Sequence, residues 1–217
     1  MAEQSNESLS ANGWLDFAGL VALATAINYA TGWIYADYYF ANFQLGLLGL
    51  DIPAEYHLMY GFLVFLDWWF FVLPSTVLVL LIYYLWITPW GKRHLVPHKT
   101  QGKRLMPLFI LLLCLIALGL GKATAKSKYR EQLTQDFPSY PQTRVWLKSP
   151  SNEDSEYKTL AAQLPKGCYR LLLQNADKLY LFRSPAHNSP ARLAVIEIAL
   201  DEVAAMRILP SHENCDG

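Results

Sequence analysis

The amino-terminal part of this chain lacks basic residues. The first Lys or Arg among the 217 residues is Lys92, and seven Asp and Glu residues precede it. Three Cys are too few for a disulfide framework. The chain also lacks a Gly-rich phosphate loop, a His-Glu-x-x-His motif, a paired-cysteine metal motif and a nucleophile elbow. We therefore predict no enzyme activity, no metal site and no cofactor.

Long uncharged apolar runs fill the part of the chain where basic residues are missing. They lie at 17–36, 68–88 and 105–121. A helix crosses the hydrocarbon core of a bilayer with about 17–25 such residues. The runs predict an α-helical multi-pass membrane domain with about three spanning helices, at 14–36, 57–88 and 105–123.

The basic residues divide the chain, since 13 of the 18 Lys and Arg follow residue 121. Shorter apolar runs with turn residues between them, including Asn175-Ala176-Asp177, are typical of strands and hairpins. We predict a small α+β, mostly antiparallel β soluble domain after the membrane domain. The predicted segments are a polar tail (1–13), the transmembrane domain (14–125), a linker helix (126–142) and the soluble domain (143–217).

The charges that flank the apolar runs do not decide the orientation. Five Lys and Arg lie in 92–104 and four in 122–130, whereas the positive-inside rule requires a clear excess on one side. A re-entrant segment at 105–121 is the alternative to a third span. We predict a multi-pass protein of the inner (plasma) membrane, and we favour a cytoplasmic carboxy-terminal domain.

Small residues and a proline predict how the first two spans pack and bend. Ala18, Ala22, Ala26 and Ala30 recur every four residues. They share one helix face, on which a neighbouring backbone can approach closely. This face predicts a packing seam, within the chain or between subunits. Pro74 predicts a kink in the second span, because proline removes a helical hydrogen bond.

Asp67 is an acidic residue inside an apolar run, where a carboxylate is costly unless it faces a partner or water. We predict that Asp67 and Asn28 line a cation path through an oligomer. Two alternatives are a neutral Asp67 that is hydrogen-bonded to Asn28 and an Asp67 near the lipid headgroups. The aromatic stretch 35–57 predicts an elbow at the membrane surface, because Tyr and Trp prefer the headgroup layer.

The strands of the soluble domain carry basic and aromatic side chains that can hold phosphates and stack on bases. The candidate ligand residues are Arg170, Lys178, Arg183, Tyr169 and Tyr180. Ordinary half-exposed strands have the same mixture, which is the alternative.

Two further pairs of residues are candidate sites. Cys168 and Cys215 would pair only in an oxidising compartment, and two unpaired thiols are the alternative. His94 and His98 are four residues apart, but Pro97 argues against a helix that would bring them to one metal.

The layout of a compact multi-pass part beside a soluble sensing domain resembles the membrane effectors of bacterial anti-phage defence. Among these it is similar in size and layout to the channel subunit of Hailong-type systems. The resemblance implies a homo-oligomeric ion channel or pore-forming effector in membrane lipid, controlled by a nucleotide or oligonucleotide that binds its soluble domain. The alternative is a non-conducting scaffold or accessory subunit of an inner-membrane complex, with a β domain that binds a protein partner.

Overall fold

The computed structural model describes residues 4–75, 77, 81, 101–148, 155–167, 169–183 and 193–209. The chain divides into two compact units. Unit 1 comprises Met1–Ala36 and Pro53–Ala125, and unit 2 comprises Asp37–Ile52 and Lys126–Gly217. Unit 2 is therefore built from two separate stretches of the sequence, and the shorter one interrupts unit 1.

The described part of unit 1 is built from α-helices. They are α1 (Gln4–Phe40, of which Asp37–Phe40 belongs to unit 2), α2 (Ala54–Asp67), α3 (Trp69–Ser75) and α4 (Gln101–Thr134, of which 126–134 belongs to unit 2). Pro53 precedes α2 in an extended conformation. Glu55 lies in the first turn of α2, where a carboxylate interacts favourably with the helix dipole.

The prediction of three spanning helices is wrong. Among the described residues, one helix, Ile110–Thr134, is long and apolar enough to cross a membrane. A second crossing is present only if α2 and α3 count as one, and these helices are bent by 83° relative to each other. An uncharged apolar run indicates that a segment avoids water, but it does not show whether the backbone continues as one straight helix. Residues 76, 78–80 and 82–88 of the predicted second span lie outside the described part of the chain.

The bend between α2 and α3 lies at Trp68, six residues before Pro74, where the kink was predicted. The Trp68 amide donates to the carbonyl oxygens of Val64 and Phe65, each at 3.2 Å. The Trp68 indole Nε1 donates to Thr124 Oγ1 at 2.8 Å. This side-chain hydrogen bond ties the bend to α4.

Glycines make the close contact between α1 and α2. A Cβ atom at Gly32 would overlap the carbonyl oxygen of His57, and a Cβ atom at Gly61 would overlap that of Asn28. Asn28 and Gly32 are four residues apart on α1, and His57 and Gly61 are four apart on α2. Each pair therefore lies on one face of its helix, and the backbones of the two helices touch along that face.

The predicted alanine seam lies on another face of α1. Ala18, Ala22 and Ala26 are exposed, and Ala30 is half-buried. Ala30 precedes Gly32 by two residues, which is about 200° around a helix. Small residues do mediate the close contact, but within the chain they are not these alanines. A seam between copies of the chain stays a prediction.

Unit 2 contains a five-stranded sheet in which every neighbouring pair is antiparallel. The strands are β1 (Gln142–Leu147), β2 (Tyr169–Gln174), β3 (Lys178–Arg183), β4 (Val195–Ala199) and β5 (Val203–Leu209), in the order β4-β3-β2-β1-β5. Helix α5 (Ser155–Gln163) follows β1. The Asn175 side chain accepts hydrogen bonds from the amides of Asp177 and Lys178, which closes the predicted hairpin between β2 and β3.

One face of the sheet packs on the segment that contains α5. Its core consists of Val145, Leu164, Tyr169, Leu179, Leu181 and Ile198. The four consecutive residues 179–182 of β3 are all buried. Because successive side chains of a strand point to opposite faces, β3 must be covered on its other face as well.

The second face of β3 is covered by Asp37–Ile52 of unit 2. This segment lies within the stretch 35–57 that predicted an elbow, and we call it the elbow from here on. Phe43 is fully buried, and its ring lies 5.1 Å from the ring of Phe182. The hydroxyl of Tyr180 donates to the Gly49 carbonyl oxygen at 3.3 Å, and the hydroxyl of Tyr140 donates to that of Tyr39 at 2.8 Å. The aromatic residues that predicted a membrane-surface elbow thus include part of the core of unit 2.

Candidate functional site

The most prominent surface of unit 1 is formed by large apolar side chains that the helices leave exposed. Phe70 and Phe71 are 67% and 68% exposed. We define the apolar surface of unit 1 as Phe62, Phe65, Leu66, Trp69, Phe70 and Phe71 on α2 and α3, with Leu111, Leu112, Leu115 and Ile116 on α4. Large apolar side chains exposed in this number indicate a surface that meets lipid or another protein.

Asp67 is the last residue of α2, and its side chain is exposed between members of the apolar surface. Leu66 precedes it and Trp69 follows two residues later, so the carboxylate lies within an apolar stretch at the bend. Asn28, the other predicted pore residue, is half-buried, and its Nδ2 donates to the Leu58 carbonyl oxygen at 2.9 Å. The amide therefore contributes to the contact between α1 and α2.

A cavity of about 510 Å³ lies among the helices of unit 1. Its lining residues include Ala24, Ile27, Asn28 and Thr31 of α1, Gly61, Val64 and Phe65 of α2, Val72 and Ser75 of α3, and Leu113, Ile116, Ala117 and Leu120 of α4. The Thr31 hydroxyl donates to the Ile27 carbonyl oxygen at 2.7 Å, and the Ser75 hydroxyl donates to the carbonyl oxygens of Phe71 and Val72. With these polar groups bonded to the backbone, the walls offer an ion little to replace its water.

Arg170, a predicted ligand residue, is instead part of the core of unit 2. Its guanidinium Nη1 donates to the carbonyl oxygens of Phe137 and Tyr140 at 3.1 and 2.9 Å. Nη2 forms an ion pair of 2.9 Å with Asp136 Oδ2. Asp136 and Phe137 have left-handed backbone conformations, with φ of 58° and 53°. Arg170 therefore stabilises a turn whose left-handed backbone conformation is unfavourable for most residues.

The other ligand candidates do not form one exposed site, although Tyr169 and Arg183 are direct partners between β2 and β3. Tyr169 and Tyr180 are buried in unit 2. Burial raises the pKa of Tyr180, and its phenol donates to the Gly49 carbonyl oxygen. Lys178 forms an ion pair with Glu197, which raises the pKa of the lysine. Arg183 is exposed at the end of β3.

His57 is a residue that the sequence reasoning did not single out. It is 5% exposed, and its ring lies edge-on to Tyr29 with the ring centres 5.4 Å apart. Its Nδ1 is buried and has no hydrogen-bond partner among the described residues. The spacing of four residues between His57 and Gly61 is the only sequence signal that could have placed it on the contact face of α2.

Metal binding and known relatives give no further assignment. In the part of the chain that the structure describes, no group of three or more His, Cys, Asp or Glu side chains could hold a metal ion. The pairs His94/His98 and Cys168/Cys215 lie outside the described residues. No protein-family model, curated protein or solved structure matches the chain.

Proposed function

We propose that this chain is a membrane-embedded subunit that acts by assembly and is held in the inner (plasma) membrane by unit 1. The helix Ile110–Thr134 carries the proposal: it is long and apolar enough to cross a membrane, and only 17% of its most apolar stretch is buried. The core helix of a soluble protein would be mostly buried. The exposed apolar side chains of this helix, and those of α2 and α3, require lipid or another protein.

Alkaline carbonate washing of membranes from cells that express the full chain tests the membrane location. We expect the chain to stay with the membrane pellet and to be released by detergent, because a helix in the hydrocarbon core is not held by charge. A peripheral protein in the same sample should be washed off and serves as the control. Release of the chain by carbonate alone would contradict the proposal.

Assembly is the activity that the geometry supports best. The exposed alanine face of α1 and the apolar surface of unit 1 are suited to packing against other helices, in copies of this chain or in other membrane proteins. Unit 2 uses three of its five candidate ligand residues in its own core, which argues against a ligand site formed by all five. The chain then works as a scaffold or accessory subunit.

An oligomeric ion channel or pore-forming effector is the second candidate, and the exposed Asp67 favours it. The cavity described in unit 1 has mostly apolar walls, which favours a conducting path between copies. A ring of Asp67 carboxylates, one from each copy, would attract cations at the bend between α2 and α3. The assembly is then a homo-oligomer, and the Asp67 carboxylates line its conducting path at the bend between α2 and α3.

Replacing Asp67 with Asn distinguishes the two candidates. If the chain conducts, we expect Asp67→Asn to lower the ratio of cation to anion permeability several-fold in proteoliposomes, because each copy loses one negative charge. The matched control is Glu55→Gln, an exposed acid on the same helix. Unchanged selectivity in an assembled Asp67→Asn oligomer would show that Asp67 does not line the conducting path. The absence of any ion flux through the wild type would favour the scaffold over the channel.

Control by a nucleotide or oligonucleotide, and with it a role in anti-phage defence, stays a prediction that belongs to the channel. Arg183 is the exposed arginine among the candidate ligand residues, and Lys178 already pairs with Glu197. Such control also requires a cytoplasmic unit 2. A ligand that opens the channel must bind one of its two states more tightly.

A further inference from the structure

The exposed face of β1 and β5 places two arginines opposite each other. Arg144 and Arg207 are direct partners in the antiparallel register, and Trp146 lies opposite Ala205. Residues two apart on a strand share a face, so Trp146 is on the same face as Arg144. Arg207 is exposed, Arg144 is half-buried and Trp146 is 38% exposed. We call Arg144 and Arg207 the arginine pair.

The arginine pair is unfavourable in the isolated chain. Side chains at direct partner positions lie about 5 Å apart at Cβ, and like charges there are destabilising. Among the residues that the structure describes, neither guanidinium has a hydrogen bond or an ion pair. Arg170, in contrast, is paired with Asp136. An anion between the two guanidinium groups would turn their repulsion into attraction, and phosphate suits this geometry because Arg binds it through two hydrogen bonds.

The surroundings of the arginine pair favour a membrane surface as the source of that phosphate. None of Arg144, Arg207 and Trp146 lines the two described cavities of the chain, whereas a small soluble ligand usually binds in a concave pocket. The indole of Trp146 stands beside the pair, and Trp and Arg are both favoured at the lipid headgroup layer.

We propose that Arg144 and Arg207, together with Trp146, bind the phosphate headgroup of an anionic membrane lipid. This assignment rests on the proposed membrane location of unit 1. The lipid phosphate accepts hydrogen bonds from both guanidinium groups, and the indole lies among the headgroups. The bound lipid relieves the repulsion between the two arginines and holds this face of unit 2 on a membrane surface.

Native mass spectrometry of the full chain in neutral detergent tests the assignment, with phosphatidylglycerol and phosphatidylcholine offered at equal concentration. We expect the wild type to retain phosphatidylglycerol preferentially. The double variant Arg144→Gln/Arg207→Gln should lose about 25-fold in that preference, since one arginine near an anionic surface contributes about fivefold. Lys158→Gln/Lys166→Gln removes two exposed charges from another part of unit 2 and should keep the preference.

Three results would overturn the assignment. The first is an equal loss in the arginine and lysine double variants, because the preference would then follow net charge alone. The second is displacement of phosphatidylglycerol by the same concentration of inorganic phosphate or AMP, because the site would then serve soluble phosphates. The third is an unchanged preference in Arg207→Glu, which places a carboxylate opposite Arg144 and should both abolish lipid retention and stabilise unit 2.

The carbonate wash separates failure of this assignment from failure of the proposed function. Lipid retention is measured in detergent, and it depends on the arginine pair whether or not unit 1 is embedded. A chain that carbonate cannot release, but whose double variant keeps its lipid preference, refutes only the headgroup site. A chain that carbonate releases refutes the membrane location.

Discussion

Replacement of Gly32 and Gly61 by alanine will separate α1 from α2 and unfold unit 1 at a much lower denaturant concentration than the wild type. Each added Cβ would overlap a backbone carbonyl oxygen on the facing helix, and a backbone atom cannot move aside as a flexible side chain can. Overpacking of this kind costs about 1–3 kcal/mol per site. For two sites on one contact face we expect a loss of about 4 kcal/mol in the free energy of unfolding.

Tryptophan fluorescence during SDS titration in mixed micelles measures this loss. Six of the seven tryptophans lie in the sequence of unit 1, so a background of Trp146→Phe makes the signal specific for that unit. The matched controls are Gly19→Ala and Gly119→Ala, where an added Cβ meets nothing within 4 Å. Alanine is the better helix former by about 1 kcal/mol, so these controls should be stabilised. If the Gly32/Gly61 variant unfolds like the wild type, the two helices do not pack through these glycines.

Arg170→Met is expected to destabilise unit 2 by about 3 kcal/mol, because it leaves buried acceptors without donors. The methionine fills much of the same volume but cannot donate to the carbonyl oxygens of Phe137 and Tyr140. The left-handed turn at Asp136 and Phe137 then loses the group that holds it. Hydrogen exchange of the β2 and β3 amides measures the loss in the full chain.

Two further variants show whether Arg170 serves the fold or a ligand. Asp136 is 60% exposed at its side chain, so Asp136→Asn should cost less than about 1 kcal/mol. Arg183→Gln removes an exposed guanidinium and should change the free energy of unfolding by less than about 0.5 kcal/mol. If Arg170→Met is as stable as Arg183→Gln, the internal hydrogen bonds of Arg170 do not support the turn.

The parts of unit 2 that could be predicted are those set by neighbouring residues. The short apolar runs and the Asn175-Ala176-Asp177 turn between them predicted the hairpin of β2 and β3. Residues 179–182 read as a run of apolar and aromatic side chains, which indicates a strand covered on both faces. No local pattern shows that the second cover is the elbow, more than 120 residues earlier in the chain.

The predicted site residues likewise depend on contacts that neighbouring residues in the sequence do not reveal. The aromatic neighbours of Arg170 in the sequence predict a ligand residue, yet its partners are Asp136, Phe137 and Tyr140, 30 or more residues earlier in the chain. The arginine pair was not predicted at all. Arg144 and Arg207 meet only because of the register between β1 and β5, and a shift of one residue would point one of them to the other face.

The sequence by itself determined which segments are apolar and where the hairpin of β2 and β3 turns, because apolar runs and turn residues act within a few residues. The tertiary structure alone decided that α2 and α3 bend at Trp68, that α1 and α2 meet at glycines, that the elbow belongs to unit 2 and that Arg170 is internal. Each of these depends on which distant segments come together, since burial and backbone hydrogen bonding are satisfied by the whole fold and not by one segment.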